Sequence, residues 1–170
     1  MIKVEEIVEK YKGYEVDEEK LKEFLIPPKP KTVWDLKIGD RYWLLDSYGT
    51  VRDCVLGNGV IDNGRRAIGN CFLTREEAQF EVERRKVEAI MLKYGRREFK
   101  YDENNVCMFY KHEEQEVAIA NESIYQNQGT IYFDKYDLCK QAIEEAGEDN
   151  IKKYIFGVDS KWEKKISQNQ

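Results

Sequence analysis

A chain of 170 residues with a hydrophobic share of 41% and 12% aromatics can bury one ordinary core or two small ones, and is too apolar to stay disordered. Charged residues make up 36%, mean hydropathy is −0.74, and no apolar run approaches the roughly 18–20 residues of a membrane span. The acidic, amphipathic start Met1-Ile2-Lys3-Val4-Glu5-Glu6 is unlike an export signal, so a cytoplasmic protein with no membrane partner is expected.

Residues 1–26 read as a helical N-terminal arm. Ile2, Val4, Ile7, Val8 and Tyr11 form one helical stripe, and Gly13 is placed to end it. Asp17 caps a second short helix carrying Leu21, Phe24 and Leu25. Such an arm packs on the body or serves for dimerisation or a partner. Pro27, Pro28 and Pro30 then impose an extended linker over 27–38.

From residue 39 the period changes. Tyr42–Asp46 and Thr50–Leu56 alternate as strands around the turn Ser47-Tyr48-Gly49. Residues 57–64, rich in Gly and Asn, read as a loop. Gly69–Leu73 reads as a short third strand, followed by a helix from about Arg75 to Tyr94. Thr74 and Glu77 form its capping box, Ala78, Val82, Val87, Ile90, Met91 and Tyr94 face inward, and Gly95 ends it.

The order then recurs. Val106–Tyr110 and Glu116–Ala120 make a second hairpin around His112-Glu113-Glu114-Gln115, and a polar loop runs to Gln128. Gly129–Phe133 is a second glycine-led strand ending in Phe, Asp134 is the expected cap of a helix from Lys135 to Ala146, and Gly147 stops it. Aligning Phe72 with Phe133 puts Ala78 opposite Cys139. The fold class is therefore α+β: duplicated β-β-β-α units, about 39–95 and 104–147, in a body over 39–158. They form one antiparallel sheet or two small subdomains, with helices on one face. Ile151 and Tyr154–Val158 close the body as a last strand or helical turn, and 159–170 is a polar tail with Trp162 as an anchor.

Several strings in this body resemble small accessory proteins of phages and prophages of Gram-positive bacteria. They are Gly39-Asp40-Arg41-Tyr42-Trp43, the run Gly69–Ala78, Glu83-Arg84-Arg85-Lys86-Val87, Gly129–Phe133 and Tyr154–Val158. The resemblance covers roughly residues 34–158 and rests on turn glycines, caps and core aromatics. It carries over no catalytic residue. It implies a setting in which small proteins bind and inhibit host defence machinery, CRISPR effectors among them.

The residues themselves offer little catalytic chemistry. His112, the one histidine, stands at a hairpin tip beside Glu113 and Glu114. Cys54, Cys71, Cys107 and Cys139 are widely spaced, so they read as buried hydrophobes rather than zinc ligands. Asp40, Asp46, Asp53 and Asp62 surround the first hairpin without the lysine of a nuclease strand. Glu83–Lys86 forms E-x-x-K, but on a helix. Gly57-Asn58-Gly59 lacks the rest of a phosphate-binding loop. No metal or cofactor is expected.

Charge is the better lead. The net charge of −5 hides a basic centre: residues 64–101 hold 10 basic and 6 acidic groups (+4), whereas 102–170 hold 8 and 14 (−6). The candidate site is Arg65, Arg66, Arg84, Arg85, Lys86, Arg96 and Arg97, with Lys93 and Lys100 nearby. Arginines beside aromatics suit phosphate contact and base stacking. Against this, Glu81/Arg85 and Arg84/Glu88 stand at i,i+4 and can pair on a solvated face. Arg65, Arg66, Arg96 and Arg97 have no such local partner, which makes them the more available. The expected function is a non-enzymatic, phage-type accessory protein that binds and inhibits a bacterial defence complex. The alternative is a nucleic-acid-binding module using the central basic helix and loops. A hydrolase comes last. The expected partners are a host defence protein or nucleoprotein complex and, in the alternative, nucleic acid, with oligomerisation through the N-terminal arm.

Overall fold

The apolar stripe at the N-terminus does form a helix, α1 (Val4–Lys10). It ends at a turn in which Tyr14 N–H bonds the Tyr11 carbonyl and Gly13 takes φ 95°. The computed structural model describes residues 4–15 and 32–158. The expected second helix of the arm, residues 27–31 of the proline linker and the polar tail with Trp162 lie outside the described residues. The chain divides into two units, residues 1–32 and 33–170, and the rest of this account concerns the second.

That unit is α+β. After a 3-10 turn (Val33–Asp35), strands β1 (Arg41–Leu45) and β2 (Val51–Val55) pair antiparallel with Trp43 opposite Asp53. The Asp46 carboxylate accepts from the Tyr48 and Thr50 N–H groups at 2.9 Å each and so shapes the turn, while Gly49 supplies φ 75°. Of the segment read as a loop over 57–64, residues 57–59 are non-helical, but 60–64 begin helix α2 (Val60–Ala67). Its glycine, Gly64, has no positive φ, so it is an ordinary helical residue and not a turn signal.

The expected third strands shrink to single bridges. Phe72 exchanges two 2.9 Å N–H···O bonds with Trp43. The ladder cannot continue, because the Asn70 side chain takes both backbone groups of Leu45, at 2.9 and 2.8 Å. Helix α3 (Arg75–Tyr94) then begins behind the expected Thr74–Glu77 capping box.

The second unit of the repeat follows this plan without a counterpart of α2. Strands β3 (Asn105–Lys111) and β4 (Glu116–Glu122) pair around the turn at 112–115, where Gln115 takes φ 55°. Phe133 exchanges N–H···O bonds of 2.9 and 2.7 Å with Val106. Three residues later helix α4 (Tyr136–Ala146) starts, as α3 starts three residues after Phe72. Ala78 and Cys139 are both fully buried, as the alignment of the two phenylalanines requires. One cap differs from expectation. The N-cap position is Lys135, with no side-chain cap bond, because the Asp134 carboxylate is drawn to Arg96 at 2.9 Å. Helix α5 (Glu148–Tyr154) closes the unit.

The strands form two separate two-stranded sheets rather than one six-stranded sheet, and both belong to the one unit over 33–170. Helix α3, about 30 Å long at 1.5 Å per residue, serves both. Its first half packs Ala78 and Val82 with Leu45 and, at the edge, Trp43 and Phe72. Its second half packs Val87 and Met91 with Val106, Met108, Phe133, Cys139 and Ile151. Burying each large aliphatic or aromatic side chain here contributes about 1.5–3 kcal/mol. Gly95 ends α3 where a Cβ would meet the Tyr132 carbonyl at 2.8 Å. Among the described residues no helix is long and apolar enough to cross a membrane.

Candidate binding surface

The seven basic residues do not converge on an open patch. On α3, Arg84 holds Glu81 through Nε and Nη2 at 2.6 and 2.9 Å and reaches Glu88 at 3.3 Å. Arg85 adds a second cation to Glu81 at 2.7 Å, Lys86 pairs with Glu83 at 2.9 Å, and Arg97 pairs with Glu88 at 2.8 Å. Bonding to Arg84 holds the Glu81 carboxyl below its ordinary range, and the Arg84 guanidinium shifts up in turn.

Of the four arginines with no i,i+4 partner, Arg65 and Arg96 are the most occupied, chiefly by residues distant in sequence. Arg65 lies on α2, where its Nη1 donates to the Tyr42 hydroxyl at 3.0 Å and to Asp62 at 3.3 Å. Tyr42, fully buried, donates its own hydroxyl proton to Asp62 at 2.7 Å. Desolvation, reinforced by that bond, raises the Tyr42 phenol, and the same bond holds Asp62 low. Arg66 lays its guanidinium over the Trp34 ring at 5.8 Å, and its buried Nε has no hydrogen-bond partner.

Arg96 is a clamp. It bonds Asp134 at 2.9 Å, both Nη atoms reach Asn105 Oδ1 at 3.2 and 3.1 Å, and it also reaches the Asn104 and Glu98 carbonyls. Asn105 is fully buried. It accepts from the Lys100 N–H at 2.9 Å and donates to the Lys100, Glu103 and Glu122 carbonyls at 2.8–3.0 Å. Together they fasten the 96–105 loop to β3 and β4. Only side chains 9 and 38 residues away could reveal this role.

The surface that sequence reading missed lies on α3 beside the paired charges. Phe80 falls outside the inward stripe of α3 and is partly exposed. It packs against Tyr154 of α5, ring centroids 5.1 Å apart and planes tilted by 54°. These rings floor a groove of about 480 Å³ lined also by Arg75, Glu76, Gln79, Glu83 and Lys153. A shallower depression shares Phe80 and Glu76 and runs on to Phe72. Glu83 is engaged by Lys86 and Gln79. Arg75 and Lys153 instead lie over the Trp43 and Tyr154 rings at 5.9 and 4.9 Å, and neither meets a carboxylate among the described residues. Glu76 likewise meets no cation there. The one signal for this groove was an aromatic residue standing off the core stripe of a long helix.

The other reactive groups are buried, paired or set in a turn. Burial raises the thiols of Cys71 and Cys107 and pushes that of Cys139 up to about 12. Asp46 is spent on its turn and on Arg52 at 2.6 Å, and Asp53 on Arg41 at 3.1 Å. His112 sits in the exposed 112–115 turn, edge-on to Tyr110. Among the described residues no group of three or more His, Cys, Asp and Glu side chains is placed to hold a metal ion. Comparison with family models finds no match, and neither do the comparisons with curated proteins and with solved structures.

Proposed function

We propose that this chain is a non-enzymatic accessory protein of phage type that binds and inhibits a bacterial defence complex, and that the α3–α5 groove receives the partner. The groove carries the reading. Phe80 and Tyr154 offer an aromatic floor, and the rim offers Arg75, Lys153 and Glu76, charges with no opposite partner of their own. Aromatic anchors with a polar rim suit a protein surface presenting an aromatic or aliphatic side chain between charged ones. The partner class rests on the resemblance of residues 34–158 to phage accessory proteins. The buried, up-shifted thiols and the carboxylates committed to turns and ion pairs support a binding role over catalysis.

The nucleic-acid reading needs free cations, and five of its seven candidates, Arg84, Arg85, Lys86, Arg96 and Arg97, sit on carboxylates of α3 or in the Asn105 clamp. The test is retention of purified Gram-positive defence effectors, CRISPR complexes first, on the immobilised chain. Retention of an effector is expected, and Arg75→Glu combined with Lys153→Glu should reduce it at least tenfold. Undiminished retention by that variant overturns the groove as the docking site. Retention of no effector, with nucleic-acid binding that falls steeply between about 50 and 200 mM salt, overturns the reading in favour of the basic block.

A further inference from the structure

A second pocket adjoins the α3–α5 groove and shares Tyr154 with it. It holds about 270 Å³, and Met91, Met108 and Ile131, side chains of the core, reach its surface together with the half-buried Ile155 and Phe156. A cavity of about 150 Å³ already accepts benzene, so one aromatic or large aliphatic side chain fits here. Methionine side chains adapt their shape to what they meet.

The polar lining says which kind of group enters. Arg84 is engaged by Glu81 at 2.6 Å and by Glu88 at 3.3 Å, and Glu88 also by Arg97 at 2.8 Å. Charges closed on one another leave nothing to pair with a charged newcomer, which would lose its water against an apolar floor. The occupant is therefore uncharged. Gln128 and Gly129 line the same pocket and are exposed, and their backbone N–H groups make no hydrogen bond among the described residues. Backbone donors beside an apolar pocket suit the carbonyl groups of an extended chain.

We propose that the partner docks with an extended segment carrying two apolar anchors, one on the Phe80–Tyr154 floor and an uncharged one in the methionine pocket. This rests on the groove as the docking site and names what enters it. The α3 residues lining the groove centre on Gln79 and those lining the pocket on Glu88, nine positions on. At 1.5 Å per residue the two sites stand about 14 Å apart. An extended chain covers about 13 Å in four residues and keeps both side chains on one face. A helix lying along α3 needs about nine residues, which turn it by about 900° and point the second anchor away. Arg75 and Lys153, which meet no carboxylate among the described residues, favour an acidic residue beside the first anchor.

The probes are blocked hexapeptides in which glutamate precedes phenylalanine and leucine follows it four or three positions later, titrated into the full chain and read by methionine methyl NMR. The four-apart peptide should move the Met91 and Met108 signals with half-saturation below about 1 mM. The three-apart peptide, and a four-apart peptide with lysine in place of leucine, should bind at least tenfold more weakly. Thr130→Glu sets a charge on the pocket lining and should weaken the four-apart peptide at least fivefold at unchanged Tm; if that variant does not fold, the peptide series on the wild type decides. No methionine shift up to about 5 mM peptide, equal binding of the three-apart peptide, or tighter binding of the lysine peptide overturns the proposal. Effector retention lost in the variant with Arg75→Glu and Lys153→Glu but kept in Thr130→Glu upholds the groove and overturns the second anchor. Methionine shifts as expected, with no effector retained, uphold the two anchors and overturn the defence-complex reading.

Discussion

Replacing Arg96 by Leu, with Arg97→Leu as its neighbour control, separates a structural basic residue from a surface one. Arg96→Leu removes the donors to Asp134, to Asn105 Oδ1 and to the Asn104 and Glu98 carbonyls. Asn105 remains in a fully buried site with one donor, the Lys100 N–H, left on its oxygen. A hydrogen bond to a charged group contributes about 1.5–3 kcal/mol, and the bonds lost here all come from one guanidinium. These effects overlap, and Asp134 is half exposed and regains water, so the net loss is about 3 kcal/mol rather than their sum. For a body of this size that lowers Tm by about 10 °C. Arg97 is 57% exposed and its partner Glu88 keeps Arg84, so Arg97→Leu costs at most about 1 kcal/mol. Thermal unfolding followed by circular dichroism, at equal protein concentration, gives both values. Equal losses, or a larger one for Arg97, would refute the clamp.

Gly95→Ala puts a methyl 2.8 Å from the Ile131 side chain and from the Tyr132 carbonyl. A loss of about 1–2 kcal/mol in urea unfolding is expected after the usual backbone-entropy gain, and a stabilised variant would contradict the packing. Tyr42 holds Asp62, Arg84 holds Glu81 and Arg96 holds Asp134 below the ordinary carboxyl range. A carboxyl depressed in the folded state stabilises above its unfolded pKa and loses that contribution as pH falls through its folded value. Tm should therefore be level from pH 7 to about 5 and fall below about 4; a Tm that stays level or rises to pH 3 contradicts these pairings. Iodoacetamide at pH 8 should modify the partly exposed Cys54 well before Cys71, Cys107 and Cys139, which are buried. Mass spectrometry of the digest reads the order, and early labelling of Cys139 would contradict its burial.

Local signals made much of this fold legible. The Thr74–Glu77 capping box starts α3 where its sequence places it, and the two phenylalanines with their following helices repeat as aligned. These features are set by residues within a few positions of one another. Helix α2 was hidden because Gly59 and Gly64 read as loop glycines and its apolar residues face outward. The third strands were cut to one bridge by Asn70, whose partner Leu45 is 25 residues away. The pairing of the candidate arginines was hidden in the same way. Arg65 and Arg96 looked available because Tyr42, Asn105 and Asp134 are neighbours only in the folded chain, whereas Phe80 needed Tyr154 to become a groove.

Phage plating tests the central proposal most directly. A Gram-positive host carrying an active CRISPR system matched to the phage expresses the wild-type chain or the variant with Arg75→Glu and Lys153→Glu; both residues line the groove with no carboxylate partner among the described residues, so the fold should tolerate the change. The wild type should restore plating by orders of magnitude, and the groove variant, expressed at the same level and with an unchanged Tm, should not. Plating that stays restricted with the wild type, or that the groove variant restores equally well, contradicts the proposal.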